Sequence, residues 1–104
     1  MTATAHGRLA APTTAPRNGE RVDEVARTPR FVVEQISSGV LDAPVDYLQA
    51  DDEWVVVLAG RATLEVGGES LELTAGDWVL LPAGVPHRLV RTERGTSWLA
   101  VTST

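Results

Sequence analysis

The sequence predicts an all-β domain, a sandwich or a barrel. Three observations point there. From Phe31 onward, runs rich in Val, Leu, Ile and aromatic residues recur, with turn signals roughly every ten residues. A Gly67-Gly68 pair separates two runs that alternate apolar and polar, the pattern of a tight hairpin. No segment carries a sustained helical period of apolar residues. At 104 residues the chain is long enough for one hydrophobic core and one domain.

The elements follow in order. Met1–Gly19, "MTATAHGRLAAPTTAPRNG", is Ala, Thr, Pro and Gly with almost no large apolar side chain. Such a stretch buries too little surface to offset its ordering entropy, so a flexible tail is expected, with a solvated His6. Residues 20–104 form the folded domain. Residues 20–28 read as one short helical turn. "RFVVEQI" and "VDYLQ" are β-branched runs, and "EWVVVLAG" is nearly continuous apolar, as in a strand covered on both faces. In "ATLEVGGESLEL", Leu64, Val66, Leu71 and Leu73 share one face, with Glu65 and Glu72 on the other. "DWVLLP" is a strand stopped by Pro82, and "HRLVRT" and "SWLAVT" close the fold.

Composition excludes several kinds of chemistry. The chain has no cysteine, which removes thiolate nucleophiles, iron–sulfur clusters and cysteine-bound zinc. All nine basic residues are arginine, so no lysine can form a Schiff base, and no organic cofactor is expected. The net charge is −5, and beyond Gly19 fourteen acids face seven arginines. Such a body repels phosphate backbones, so no nucleic-acid partner is expected. No apolar run approaches the roughly 20 residues needed to span a bilayer, and the N-terminus lacks an apolar leader block. The expectation is a soluble cytoplasmic protein with no membrane partner.

The chemistry-bearing stretch is "LLPAGVPHRL", Leu80–Leu89. Gly76, "DWVLL", Pro82, Ala83, Gly84, "VP" and His87 match every fixed position of the second motif of the cupin family: Gly, five residues, Pro, any residue, Gly, two residues, His. That motif usually closes with Asn four residues later, where this chain has Arg91. The first motif ends in Glu, six residues and Gly, here Glu53, "WVVVLA" and Gly60, fifteen residues before the second motif begins. Over Val45–Val101 the chain therefore resembles small single-domain cupins. The resemblance implies a jelly-roll β-barrel and a homodimer with a contact around Phe31–Ile36. It also implies a metal set of three histidines and one glutamate. The His-x-His pair of that set would fall at Tyr47 and Gln49, so Glu53 and His87 remain, with Gln49 as a weak third ligand. A divalent metal (Mn, Fe, Ni or Zn) would be held weakly by His87, Glu53 and Gln49, because one imidazole, one carboxylate and one amide suit zinc poorly.

Strand alternation extends the site. If the chain runs unbroken from Val45 to Leu58, then Tyr47, Gln49, Asp51, Glu53 and Val55 share the inner face. The same rule groups His87, Leu89 and Arg91, leaving Arg88 outward. Glu53, His87 and Tyr47 are the candidate catalytic residues, with Glu53 and His87 an acid–base pair. Gln49, Arg91, Val55 and Leu89 are candidate substrate contacts, Arg91 as a clamp for a carboxylate. Each has a plainer alternative: Glu53 as a strand-end acid, His87 as a core histidine bonded to backbone, Tyr47 and Gln49 as ordinary barrel residues, Arg91 as a solvated strand-end cation. Trp54, Trp78 and Trp98 are expected in the core or at a subunit contact. Three functions stand. One is a small-molecule enzyme carrying out isomerisation, elimination or cyclisation on an oxygenated compound. The second is a ligand-binding or sensing cupin without turnover. The third is a structural barrel with a vestigial site, for which the missing His-x-His pair speaks. Sequence does not decide whether the protein is an enzyme.

Overall fold

The computed structural model describes residues 4–104; Met1–Ala3 of the expected tail lie outside the described residues. Nine strands fill most of the chain: β1 (Glu20–Arg27), β2 (Phe31–Ser38), β3 (Val45–Tyr47), β4 (Glu53–Ala59), β5 (Arg61–Val66), β6 (Glu69–Thr74), β7 (Trp78–Leu81), β8 (His87–Thr92) and β9 (Thr96–Ser103). They form two antiparallel sheets, β1-β2-β9-β4-β7 and β3-β8-β5-β6. The sheets face one another as a jelly-roll barrel. Their inner faces meet in a core of Val55, Val57, Ala62, Leu64, Leu73, Leu81, Leu89, Trp98 and Ala100.

The hairpin forms as the sequence requires. Leu64 pairs with Leu71 and Ala62 with Leu73 on the inner face, while Thr63 pairs with Glu72 outside. Gly60 ends β4 at φ 85°, and a Cβ there would lie 2.5 Å from the Thr96 hydroxyl, so both backbone conformation and space demand glycine.

Three expectations are corrected. Residues 20–28 are not a helical turn: Glu20–Arg27 is an edge strand paired with β2 from Glu20↔Ser38 to Arg27↔Val32, a case of sheet pairing overriding weak local helix propensity. The run from Val45 to Leu58 is not one strand. β3 stops at Tyr47, β4 starts at Glu53, and the two lie in different sheets. Asp51, which an unbroken strand would turn inward, is exposed in the connecting loop. β4 is not covered on both faces either. Val55 and Val57 are buried, but Leu58 is 40% exposed on the outer face.

The segment expected to be a flexible tail also carries specific contacts. Gln35, 3% exposed, exchanges two hydrogen bonds with the Ala10 backbone, at 2.8 and 2.9 Å. Pro12–Thr14 makes one 3₁₀ turn, Ala15 is buried, and Asn18 bridges to Val40. Two features hold the segment that a composition-based reading undervalues. Gly39 admits the Pro16 and Arg17 backbone where a Cβ would collide, and Arg21 donates to the Thr14 carbonyl at 2.7 Å.

Candidate functional site

The site begins with a cross-strand pair. β3 and β8 run antiparallel with Tyr47 directly opposite His87. Side chains so paired touch on one face of a sheet. Here the two rings stack, with centroids 5.3 Å apart and planes 13° apart. His87 is buried, and its Nδ1 lies 3.4 Å from the Val85 carbonyl.

The turn before His87 is fixed by backbone and by one acid. The Val85 N–H donates to the Pro82 carbonyl at 3.2 Å, and Gly84 sits at φ 77°, a conformation that favours glycine. The Gly84 N–H donates to the Gln49 carbonyl at 2.9 Å, and the Ala83 N–H to Asp52 Oδ1 at 2.8 Å. The two halves of the motif are thereby tied together: the turn that delivers His87 also holds the loop that carries Gln49.

Behind the stacked rings lies a cavity of about 170 Å³. Tyr47, Gln49, Glu53, Val55, His87 and Leu89 all line it. Six of the seven predicted site residues therefore converge, although the continuous strand that suggested them is broken. Trp98, Leu64 and Leu81 add apolar wall. Glu53 is 9% exposed and accepts a hydrogen bond from the Thr102 hydroxyl at 3.2 Å. Gln49 Oε1 is buried with no hydrogen-bond partner among the described residues. A wider, open depression of about 650 Å³ adjoins on the far side of Tyr47 and His87. At its rim Arg88 is outward, as expected, and grips Asp46 at 2.6 and 3.3 Å. That hydrogen bond holds the Asp46 carboxyl below the usual carboxylate range and the Arg88 guanidinium above its own.

Arg91 is the exception. It lies outside the cavity, 73% exposed in its side chain and 4.0 Å from Glu72. The cause is a β-bulge. Leu64 pairs with Leu89 but the preceding Thr63 pairs with Arg91, so Val90 is an extra residue and the alternation past Leu89 inverts. Arg91 therefore faces away from this cavity and does not join the other six residues there.

Two site residues escaped the sequence reading. Glu20 on β1 and Glu34 on β2 both line the cavity. Glu20 accepts from the Ser38 hydroxyl at 2.5 Å and from the Tyr47 phenol at 3.3 Å, while Ser38 in turn accepts from the Trp98 indole at 3.1 Å. Burial, then the Glu20 carboxylate beside it, pushes the Tyr47 phenol up to about 12. Tyr47 is therefore a neutral hydrogen-bond donor at physiological pH and not a base. The available signal was the period-two pattern of "FVVEQISS", which sends Val32, Glu34, Ile36 and Ser38 to one face. Glu20 was hidden by the helical reading of its segment.

Of the three tryptophans, one takes the expected core position. Trp98 is buried, whereas Trp54 and Trp78 meet on the outer face with centroids 6.4 Å apart.

The family follows from this geometry and from comparison. The model of the cupin domain matches residues 32–102, and the chain belongs to the cupin family. Among solved structures it is similar to a candidate mannose-6-phosphate isomerase from Ralstonia eutropha, at 29% identity over 94% of this chain and 96% of that one, with TM-score 0.75. KdgF from a Halomonas species is 24% identical over 82% and 80%, with TM-score 0.72. An RmlC-like cupin from Shewanella frigidimarina is 16% identical over 94% and 91%, with TM-score 0.69. The last two likenesses show the fold alone. Comparison with curated proteins returns no relative.

Cupins commonly bind divalent metals, and the donors of this site bear on that role. The Tyr47 phenol, pushed up to about 12, is neutral and donates a hydrogen bond to Glu20, so it brings no imidazole to the set. Gln49 offers one amide oxygen. Among the described residues no group of three or more His, Cys, Asp or Glu is placed to hold a metal. The proposed set of His87, Glu53 and Gln49 thus supplies one imidazole and one carboxylate, and it does not fit a firmly held first-row metal. Among the described residues no helix is long and apolar enough to cross a membrane.

Proposed function

We propose that the barrel interior is a small-molecule site in which Glu53 and His87 exchange a proton with the bound compound. The observation that carries this reading is the convergence of Glu53, His87, Tyr47 and Gln49 on one apolar-walled cavity. A carboxylate and an imidazole facing one ligand are side chains of the types that take and deliver a proton in general acid–base chemistry. Tyr47, kept neutral with its O–H engaged by Glu20, offers its phenol oxygen as an acceptor, and Gln49 Oε1 accepts a hydrogen bond from a hydroxyl or ammonium group. Val55, Leu89 and Trp98 exclude water. The reaction class is isomerisation, elimination or cyclisation, each a proton transfer about a carbon that bears oxygen. Binding without turnover is the second reading. It is favoured by the replacement of the family's His pair with Tyr47 and Gln49, which leaves a pocket without the usual metal chemistry.

The test is a thermal-shift screen of small polar metabolites against the wild type and against Glu53→Gln and His87→Ala. Stabilisation by a hit that is lost in both variants supports the site. Stabilisation that survives both contradicts it. Product formation from the same hits, monitored by proton NMR, separates the enzyme from the binder.

A second copy of this chain is proposed as the cover of the apolar outer face of the larger sheet, where Trp78 is 61% and Leu80 55% exposed.

A further inference from the structure

We infer that the cavity selects a small organic cation, a protonated amine without phosphate or carboxylate. The inference rests on the small-molecule reading above and names the class of ligand.

The argument is one of charge and hydrogen-bond polarity. Among the described residues, three carboxylates line the cavity, Glu20, Glu34 and Glu53, and no arginine does. None of the three forms an ion pair among the described residues. Among those residues too, Glu20 and Glu53 receive only hydroxyl hydrogen bonds on their side chains, and Glu34 receives none. Of the described lining groups, His87 alone can carry positive charge. Carboxylates on the wall of a partly enclosed, apolar-lined cavity attract a cation more strongly than they would in bulk water.

The neutral groups point the same way. Gln49 Oε1 is a buried acceptor with no donor among the described residues. Glu53, Glu34 and Gln49 all present acceptors, so a ligand rich in N–H groups satisfies them and an anion satisfies none. Tyr47 and Trp98 also line the cavity, and aromatic rings attract a cation and not an anion to their faces. At the mouth, Arg88, the arginine that lines the outer depression, is already committed to Asp46. A phosphate therefore finds no free guanidinium on its way in, which sets this pocket apart from one built for a sugar phosphate, the substrate class in the name of the Ralstonia protein. The cavity, about 170 Å³, confines the ligand to few non-hydrogen atoms.

The experiment uses three probes of one shape: butylammonium, 1-butanol and butanoate. Each is titrated into the full chain while the three tryptophan indole N–H resonances are followed by NMR. Trp98 lines the cavity, and Trp54 and Trp78 do not, so the Trp98 signal reports occupancy of the site. Butylammonium is expected to shift Trp98 saturably, at least about tenfold more tightly than 1-butanol, which is about 1.4 kcal/mol. Butanoate is expected to leave Trp98 unmoved. Glu34→Gln, which breaks no hydrogen bond, should shrink the preference for the amine over the alcohol several-fold. If butanoate occupies the site as tightly as butylammonium, the charge inference is overturned while the pocket stands. If no probe moves Trp98 at saturating concentration, the pocket reading falls with it. A preference unchanged in Glu34→Gln overturns the assignment of the carboxylates as its source.

Discussion

The Tyr47 phenol donates to Glu20 at 3.3 Å while its ring stacks on His87 at 5.3 Å. One side chain thus couples an edge strand of the larger sheet to the motif histidine of the smaller one. Its titration is readable directly, because the chain has one tyrosine. Near-ultraviolet absorbance should give a pKa of about 12, and Glu20→Gln should lower it while leaving it above 10, since burial, the largest cause, remains. A value of 10 in the wild type contradicts the contact.

The same shift fixes the sign of an alkaline stability change. Below pH 10 both folded and unfolded chains hold the phenol proton. Between 10 and about 12 the unfolded chain releases it and the folded chain keeps it, so stability falls across that window. Two pKa units set a ceiling of about 2.7 kcal/mol. Because Tyr47 is only half-buried, solvent screening reduces the expected loss to ~1 kcal/mol. Urea midpoints measured from pH 9 to 12 should fall for the wild type, and less for Tyr47→Phe.

Arg91→Ala should change neither ligand-induced stabilisation nor the urea midpoint by more than about 0.5 kcal/mol, since the residue is exposed and its approach to Glu72 is a loose surface pair. Loss of binding in this variant would return Arg91 to the site.

Arg91 also marks where sequence reading stops. Alternation is reliable while a strand is regular, and it placed Tyr47, Glu53, Val55, His87 and Leu89 in the cavity. It fails at a bulge, and nothing in "HRLVRT" announces that Val90 is the extra residue. Gln49 was reached by a faulty route: it lies in a loop, held at the site by the Gly84 N–H and not by strand periodicity. The barrel was legible because the hairpin and two spaced motifs agree. The acidic wall was not, because Glu20 and Glu34 are distant in sequence from the motifs and join the site only through sheet pairing.

Gly60→Ala should cost roughly 2–4 kcal/mol, since it combines a positive φ with a collision against Thr96, whereas Gly68→Ala, which faces open space, should cost about 1 kcal/mol. Chemical denaturation of the two variants side by side separates the steric part from the conformational part.

The apolar outer face predicts self-association. Sedimentation equilibrium should give a dimer at micromolar concentration, and Leu80→Arg, which places a charge on a half-exposed patch beside Trp54 and Trp78, should give a folded monomer. A monomeric wild type contradicts the proposed cover.

The central claim is that ligands enter the cavity behind Tyr47 and His87. The most direct test follows the indole N–H resonances of Trp54, Trp78 and Trp98 while the best thermal-shift hit is titrated in. The account predicts a saturable shift of Trp98, the indole bonded to Ser38 at the cavity wall, with Trp54 and Trp78 unmoved. Movement of Trp54 and Trp78 with Trp98 still would place binding on the outer face and contradict it.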